Sequence, residues 1–443
     1  MRDLTEGKEG KRILSFALPM LLGNVFHQLY NVIDSIIVGN FIGKEALAAV
    51  GASFPVIFVF FALVLGVTSG STVVISQYFG AKDNERVKRT IDTLFIMLFF
   101  ASIIISVLGI IFSREIFILL QIPQEVMPLA EVYLKIFFGG SIAFFGFMGT
   151  SASLRGLGDS KTPLYFLIIS TLTNIGLDLL FVVVFNWGIE GVAFATIISQ
   201  GGAFITAIIY LNRTHEIIEF SLFKLKFDKD LFRKSIRIGL PTGVQQTVVA
   251  LGMTALIGIV NKFGTSVIAA YTVAARINSL ATLPAMNFAS ALSTFVGQNL
   301  GAKKHDRVKR GFMATLKMSS VISVIVSILV VFKGDFIMGI FTVDAEVIRV
   351  GSEYLTIVGS FYLVFSAMFA TTGVLRGAGA TVIPMITTVI SLWLIRIPGA
   401  YFLSQKIGET GIWWAIPIGW FMGLVMAYAY YLTGKWKNKV VVE

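Results

Sequence analysis

The 443-residue chain has no cysteine and only 3 histidines, which excludes a disulfide framework and thiolate metal sites and leaves no mark of a redox compartment. Charge is scarce too: Asp, Glu, Lys and Arg make up 14% of the residues, against ~25% in ordinary soluble domains. A water-soluble globular fold is therefore excluded. No Gly-Lys-Ser/Thr phosphate loop occurs, and no set of nucleophile, base and orienting group is visible, so the chain does not read as an enzyme. A signal peptide is imitated by residues 1–12 and the apolar run behind them. That run is about twice the length of a signal h-region and no small-residue cleavage pattern follows, so it reads as a first span.

What the sequence has is apolar length, with 56% of residues in the hydrophobic set and 39 Phe. Twelve apolar stretches fall at roughly 13–38, 46–78, 91–112, 133–153, 164–185, 189–211, 235–260, 268–298, 312–332, 353–374, 383–403 and 411–432. A helix needs ~20 mostly apolar residues to cross the ~30 Å hydrocarbon core, and each stretch is long enough. The fold class expected is an all-α polytopic membrane protein with twelve transmembrane helices.

Of the 36 Lys and Arg residues, 25 lie in the two termini and the even-numbered connections and 6 in the other connections. Positive residues mark the cytoplasmic side, so both termini are expected there. This excess accounts for the net charge of +11 through solvent and lipid headgroups, without a nucleic-acid partner.

The chain also repeats. Gln77-Tyr78-Phe79-Gly80-Ala81-Lys82 followed by Arg86-Val87-Lys88-Arg89 recurs as Gln298-Asn299-Leu300-Gly301-Ala302-Lys303 followed by Arg307-Val308-Lys309-Arg310. Leu154-Arg155-Gly156-Leu157-Gly158 recurs as Leu375-Arg376-Gly377-Ala378-Gly379, and Pro19 matches Pro241. The expected organisation is an N-terminal six-helix lobe over 1–211, a cytoplasmic linker over 212–234 and a C-terminal six-helix lobe over 235–443. Six spans per copy put both copies in the same direction, related by a pseudo-twofold along the membrane normal. Parallel repeats of this kind belong to transporters working by alternating access, with a substrate site between halves.

Ionisable groups inside a span are expensive and are functional candidates. Asp178 falls about 10 Å below the outer surface at 1.5 Å per residue, with Asp34 shallower. Asn174 lies one turn from Asp178 on the same face, and Thr196 reaches the same depth on the following helix. These oxygens suit Na⁺ and equally suit a proton, since burial disfavours two neighbouring charges; the competing reading is an acid paired structurally. Asn24, His27 or Gln28, Asn31 and Asp34 form a polar stripe on the first helix, in which His27 reads as a stripe or packing residue. By local offset Asp34 aligns with Leu256 and Asp178 with Pro398, so the second copy lacks the acids. It holds Arg276 and Arg396 instead, which would bind an anionic substrate group, latch onto the acids, or snorkel to headgroups. Gln200, Gln245 and Gln246 are cleft-lining candidates, with packing hydrogen bonds the equal alternative.

The two copies, the Asn31-x-x-Asp34 stripe and the recurring Gln77 and Leu154 motifs resemble the multidrug and toxic compound extrusion (MATE) family over essentially the whole chain. The resemblance implies a V-shaped pair of six-helix lobes and export of organic, often cationic and amphipathic, compounds driven by Na⁺ or H⁺ inflow, with no cofactor. Members with an acidic site in the N-terminal lobe place it at positions matched here by Asp34, Asn174, Asp178 and Thr196. The pattern with acids on helices 7 and 10 is missing; helix 7 offers Gln245 and Gln246, and helix 10 has only Glu353 at its outer start. The expected protein is a monomeric antiporter of the cytoplasmic membrane, resembling the N-lobe-coupled prokaryotic branch. The alternative is a flippase for a lipid-linked or anionic lipid substrate, favoured by Arg276 and Arg396.

Overall fold

The computed structural model describes residues 3–214 and 224–442, and these form helices and connections with no strand. The first copy runs α1 (Glu9–Ile37), α2 (Lys44–Gly80), α3 (Asn84–Ile111), a short α4 (Ser113–Leu119), α5 (Met127–Gly139), α6 (Ser141–Gly156), α7 (Lys161–Asp178) and α8 (Gly188–Thr214). The second runs α9 (Lys229–Val260), α10 (Thr265–Gly301), α11 (His305–Phe332), a short α12 (Gly334–Gly339), α13 (Ala345–Gly359), α14 (Tyr362–Gly377), α15 (Val382–Val389), α16 (Ile397–Ile407) and α17 (Thr410–Leu432). Among the described residues, ten helical segments are long and apolar enough to cross a membrane; counting the bent pairs α5–α6 and α13–α14 as one span each makes twelve. Those pairs bend by 52° and 49° at matching places in the two copies. The all-α polytopic class is what the apolar stretches predict.

Local chemistry sets the helix ends. Asp83 accepts from the Arg86 N–H (3.0 Å) to cap α3, and Asp344 accepts from the N–H groups of Glu346 (2.9 Å) and Val347 (3.1 Å) to cap α13, satisfying donors that a first turn leaves open. The recurring Leu-Arg-Gly-x-Gly motif has a steric reason. A Cβ on Gly156 would lie 2.7 Å from Ile75 Cγ2, and one on Gly377 would lie 2.3 Å from the Ser293 carbonyl oxygen, so α6 and α14 approach α2 and α10 too closely for a side chain. The second glycines, Gly158 and Gly379, take φ of +80° and +88°, a region open mainly to glycine.

Packing divides the chain into two compact units, Pro19–Gly243 and Asp3–Leu18 with Val244–Glu443. Compact unit and sequence repeat are therefore different divisions of the chain: α1 changes unit at Pro19, and α9 changes two residues after Pro241. Each unit has its own apolar core. In the first it is built around Leu94, Phe117, Leu134, Phe138 and Val192, and in the second around Leu256, Tyr354, Leu355, Trp413 and Ile416. Outside these cores, large apolar side chains such as Leu22, Phe54, Ile104, Phe332 and Phe421 are exposed, as lipid-facing surface requires.

The Gln77 and Gln298 motifs act as receivers for chain segments. In the second unit the Gln298 carboxamide oxygen accepts from the Leu4 N–H (3.0 Å), and Asn299 Nδ2 (3.2 Å) and Arg307 Nη2 (3.3 Å) donate to the Leu4 carbonyl. Lys304 donates to the Thr5 carbonyl (3.0 Å), and Glu9 pairs with Arg307 (3.2 Å) and Arg310 (2.9 Å). In the first unit, Lys234 (3.1 Å) and Arg86 (3.0 Å) donate to the Tyr78 hydroxyl, while the Lys226 and Asp228 N–H groups donate to Asp92 (3.4 Å) and Thr93 (3.1 Å). The opening segment of each repeat is thus held by the other repeat's motif. Part of the expected linker, residues 215–223, lies outside the described residues, and its far end packs in the first unit. Charge count alone reads these basic residues as solvated; several instead hold the chain.

Candidate functional site

The acids expected at one depth do converge within the first unit. Asp178 ends α7 and is fully buried; Asp34 on α1, Asn174 on α7 and Thr196 on α8 are buried beside it. Helical turns of π type follow each acid, at Val38–Ile42 and Leu179–Val184. Such turns loosen the regular bonding ladder and occur often at functional sites. The Asp34 and Asp178 carboxyl groups meet within hydrogen-bonding distance of each other. With the Asn174 amide turned so that its nitrogen donates to Asp178 Oδ2 (3.0 Å), its oxygen accepts from the Thr196 N–H (3.2 Å). The Thr196 hydroxyl lies 3.2 Å from the Tyr30 hydroxyl and also donates to the Val192 carbonyl (3.1 Å).

One oxygen of each acid, Asp34 Oδ1 and Asp178 Oδ1, is buried without a hydrogen-bond partner. Two carboxylates cannot share a hydrogen bond without a proton between them, and two unsatisfied carboxylate oxygens in a low-dielectric interior call for a cation. The surrounding donors are oxygens of carboxylate, carboxamide and hydroxyl type, which suit a hard cation. Among the described residues no cluster of three or more His, Cys, Asp or Glu exists that would hold a transition metal.

Tyr30 and Tyr133 also lie within electrostatic reach of the acid pair. Sequence reading missed them, because a tyrosine in an apolar span is one of 12 in the chain and carries no charge. The repeat gives a faint signal: Tyr133 matches Tyr354 in the second copy.

The remaining candidates scatter. Along α1, Asn24, His27 and Gln28 are exposed, Asn31 is half-buried and lies 3.4 Å from His27 Nδ1, and the stripe ends on buried Asp34. Gln200, one turn beyond Thr196, is half-buried with its Oε1 unpartnered. In the second unit, Gln245 is buried and bonded at both ends. Its amide nitrogen donates to the Pro384 carbonyl (3.2 Å) and the Thr388 hydroxyl (2.6 Å), and its oxygen accepts from Arg376 Nη2 (2.8 Å). Gln246 is half-buried and Arg276 is exposed. Arg396, like Gln245, is enclosed within its own unit.

Fold and site together define a duplicated, multi-pass helical membrane transporter with an acid pair in one copy. The MatE family model matches the chain twice, over residues 19–180 and 241–402, and the chain belongs to that family. The "Probable multidrug resistance protein YpnP" of Bacillus subtilis (strain 168) is 32% identical over 436 residues, covering 98% of this chain and 97% of the relative. The "FAD transporter" of Shewanella oneidensis is 26% identical, covering 96% of this chain and 94% of the relative. Among solved structures, the outward-facing conformation of a multidrug resistance MATE family transporter of the MOP superfamily aligns with a TM-score of 0.91 at 22% identity, covering 98% of each chain. At that identity the likeness speaks for the fold.

Proposed function

We propose that the chain is a secondary active multidrug exporter that exchanges small, cationic, amphipathic organic compounds for inflowing Na⁺ or H⁺. It works by alternating access, as a monomer of the cytoplasmic membrane with both termini in the cytoplasm. The observation that carries this reading is the buried contact of Asp34 with Asp178 and its two unpartnered oxygens. An ion arriving from outside neutralises the pair and removes the penalty of holding uncompensated charge at membrane depth. A bound ion shifts a conformational equilibrium only by its differential affinity for the two states, so the acid pair must be arranged differently in the state that releases the ion. Asn174 donates to Asp178 and accepts from the Thr196 N–H, which makes α7 and α8 the elements through which occupancy acts.

The test is dye efflux in proteoliposomes with Na⁺ and pH gradients imposed separately. One gradient alone is expected to drive efflux, and Asp34→Asn or Asp178→Asn, expressed and reconstituted equally, to reduce the driven rate at least about tenfold, about 1.4 kcal/mol of coupling. Undiminished driven efflux in both variants would sink the assignment. The anionic-substrate alternative rests on exposed Arg276 and the FAD-transporting relative. It predicts that anionic lipids or dinucleotides stimulate ion flux while cationic dyes do not, and that Arg276→Ala abolishes the stimulation.

A further inference from the structure

The break between α5 and α6 is braced from a neighbouring helix. The last turn of α5 leaves carbonyls without partners inside the helix, and Ser106 Oγ on α3 donates to one of them, that of Phe138 (2.5 Å). Ser106 Oγ also lies 2.8 Å from the hydroxyl of Ser141, the first residue of α6, which donates to the Ser102 carbonyl (3.2 Å). The Phe138 ring fills the space at Gly109, where a Cβ would come within 2.2 Å of it. The second copy repeats the brace. Ser327 donates to the Gly359 carbonyl (2.6 Å) at the positions aligned with Ser106 and Phe138, and Val330 faces Gly359 with the large and small residues exchanged. A bend held in this way is a fixed part of the fold rather than a soft joint.

What the two elbows face differs. In the first copy Gly140 sits between the two helices, and a Cβ there would lie 2.3, 2.4 and 2.6 Å from Cγ1, Cδ1 and Cγ2 of Ile197 on α8. Its φ of −92° is open to any residue, so the glycine answers a need for room and not for backbone freedom. A β-branched side chain in a helix keeps one preferred rotamer, and every branch of Ile197 lies over the notch. It cannot swing aside, so a methyl group at residue 140 would have to move α8 itself. Ile197 follows Thr196, whose N–H donates to the turned Asn174 amide (3.2 Å) and whose hydroxyl lies 3.2 Å from that of Tyr30. The second copy, which lacks the acids, has Phe361 and Pro417 at the positions aligned with Gly140 and Ile197.

We propose that Gly140 is a positioning residue of the ion-coupling site: by seating Ile197 in a braced elbow it sets the depth of α8, and so places Thr196 against Asn174 and, through Asn174, Asp178. The proposal rests on the coupling reading of Asp34 and Asp178 given above. The contact with Asn174 is made by a backbone N–H, which no rotamer change restores once the helix has shifted, so a displacement at residue 197 passes directly to residue 196. The elbow thereby belongs to the ion site without touching the ion.

The experiment is driven efflux in proteoliposomes as a function of coupling-ion concentration, with Tm measured on the same full-length preparations. Gly140→Ala is expected to raise the half-saturating ion concentration at least about threefold, since a site displaced by ~1 Å loses its fit. The same change made in an Ile197→Ala background, where the notch is already empty, should leave that background's value unmoved. Gly146→Ala is the control: its Cβ would meet Phe204 of α8 at 2.6 Å, two turns beyond Thr196, so Tm should fall while the ion dependence stays. An unmoved ion dependence in Gly140→Ala, an equal shift in the Ile197→Ala background, or an equal shift in Gly146→Ala would each overturn the proposal. If Gly140→Ala does not fold, Ile197→Ala decides, because emptying the seat must itself shift the ion dependence. Full driven efflux in Asp34→Asn and Asp178→Asn would sink the coupling reading and the proposal with it; efflux lost in those two while Gly140→Ala and Ile197→Ala respond to the ion as the wild type does would sink the positioning role alone.

Discussion

Asn174 carries no charge, yet it bridges two helices of the site. Its amide joins Asp178 on its own helix to the Thr196 backbone on the next. Asn174→Ala would leave a carboxylate oxygen without its donor in a buried site, a loss of about 1–3 kcal/mol. The expected outcome is a lowered Tm together with weaker coupling-ion affinity, read as a rightward shift of the ion dependence of efflux. Asn174→Asp, adding a third acid, should instead alter the ion preference. A stability loss with an unmoved ion dependence would mark Asn174 as structural only. At this scale the sequence is informative where a residue violates its surroundings: Asp34, Asp178 and Arg396 stand out because an ion in an apolar span needs a reason. Tyr133 violates nothing, so only coordinates bring it to the acids, whereas Tyr30 stands one turn before Asp34 on the same helix.

At the scale of elements, the copies share steric rules that the motifs encode. Gly377 is pressed against the α10 backbone, where a Cβ would come within 2.3 Å of the Ser293 carbonyl oxygen. Backbone cannot step aside as a flexible side chain can, so Gly377→Ala should destabilise the protein by about 1–3 kcal/mol, seen as a drop in Tm with unchanged ion preference. Gly258→Ala, where a Cβ would meet nothing within 4 Å, is the control. Apolar length made the spans readable, including the two that bend. It did not reveal the bends of 52° and 49° between α5 and α6 and between α13 and α14, because a run of apolar residues has the same hydropathy whether its axis is straight or broken. The π turns behind Asp34 and Asp178 are equally silent in composition.

For the whole molecule, the lesson concerns the charged motifs. Counting Lys and Arg predicts orientation but not that Lys304 and Arg307 bind residues 4–9 or that Lys234 and Arg86 meet on Tyr78. Except for Arg86 with Tyr78, eight positions apart, these contacts join residues some 150 to 300 positions apart, and no local pattern announces them. Glu9 and Arg307 are largely enclosed, with side chains 19% and 14% exposed, so their pair is less screened than an open surface bridge. Glu9→Gln is expected to lower stability by about 1 kcal/mol and to speed proteolysis of the first residues, measured by limited digestion and N-terminal mass. Unchanged cleavage would show that the backbone bonds to Leu4 suffice.

That reciprocal holding bears on how such a chain could arise. A protein of one repeat would carry a receiving motif and an opening segment that its own motif does not hold. Two identical copies could satisfy one another by trading those segments, as swapped dimers do. Fusing the two genes makes the trade permanent and frees each half to diverge. One half then keeps its pair of acids while the other has leucine and proline at the aligned positions, a divergence that equal subunits could never maintain.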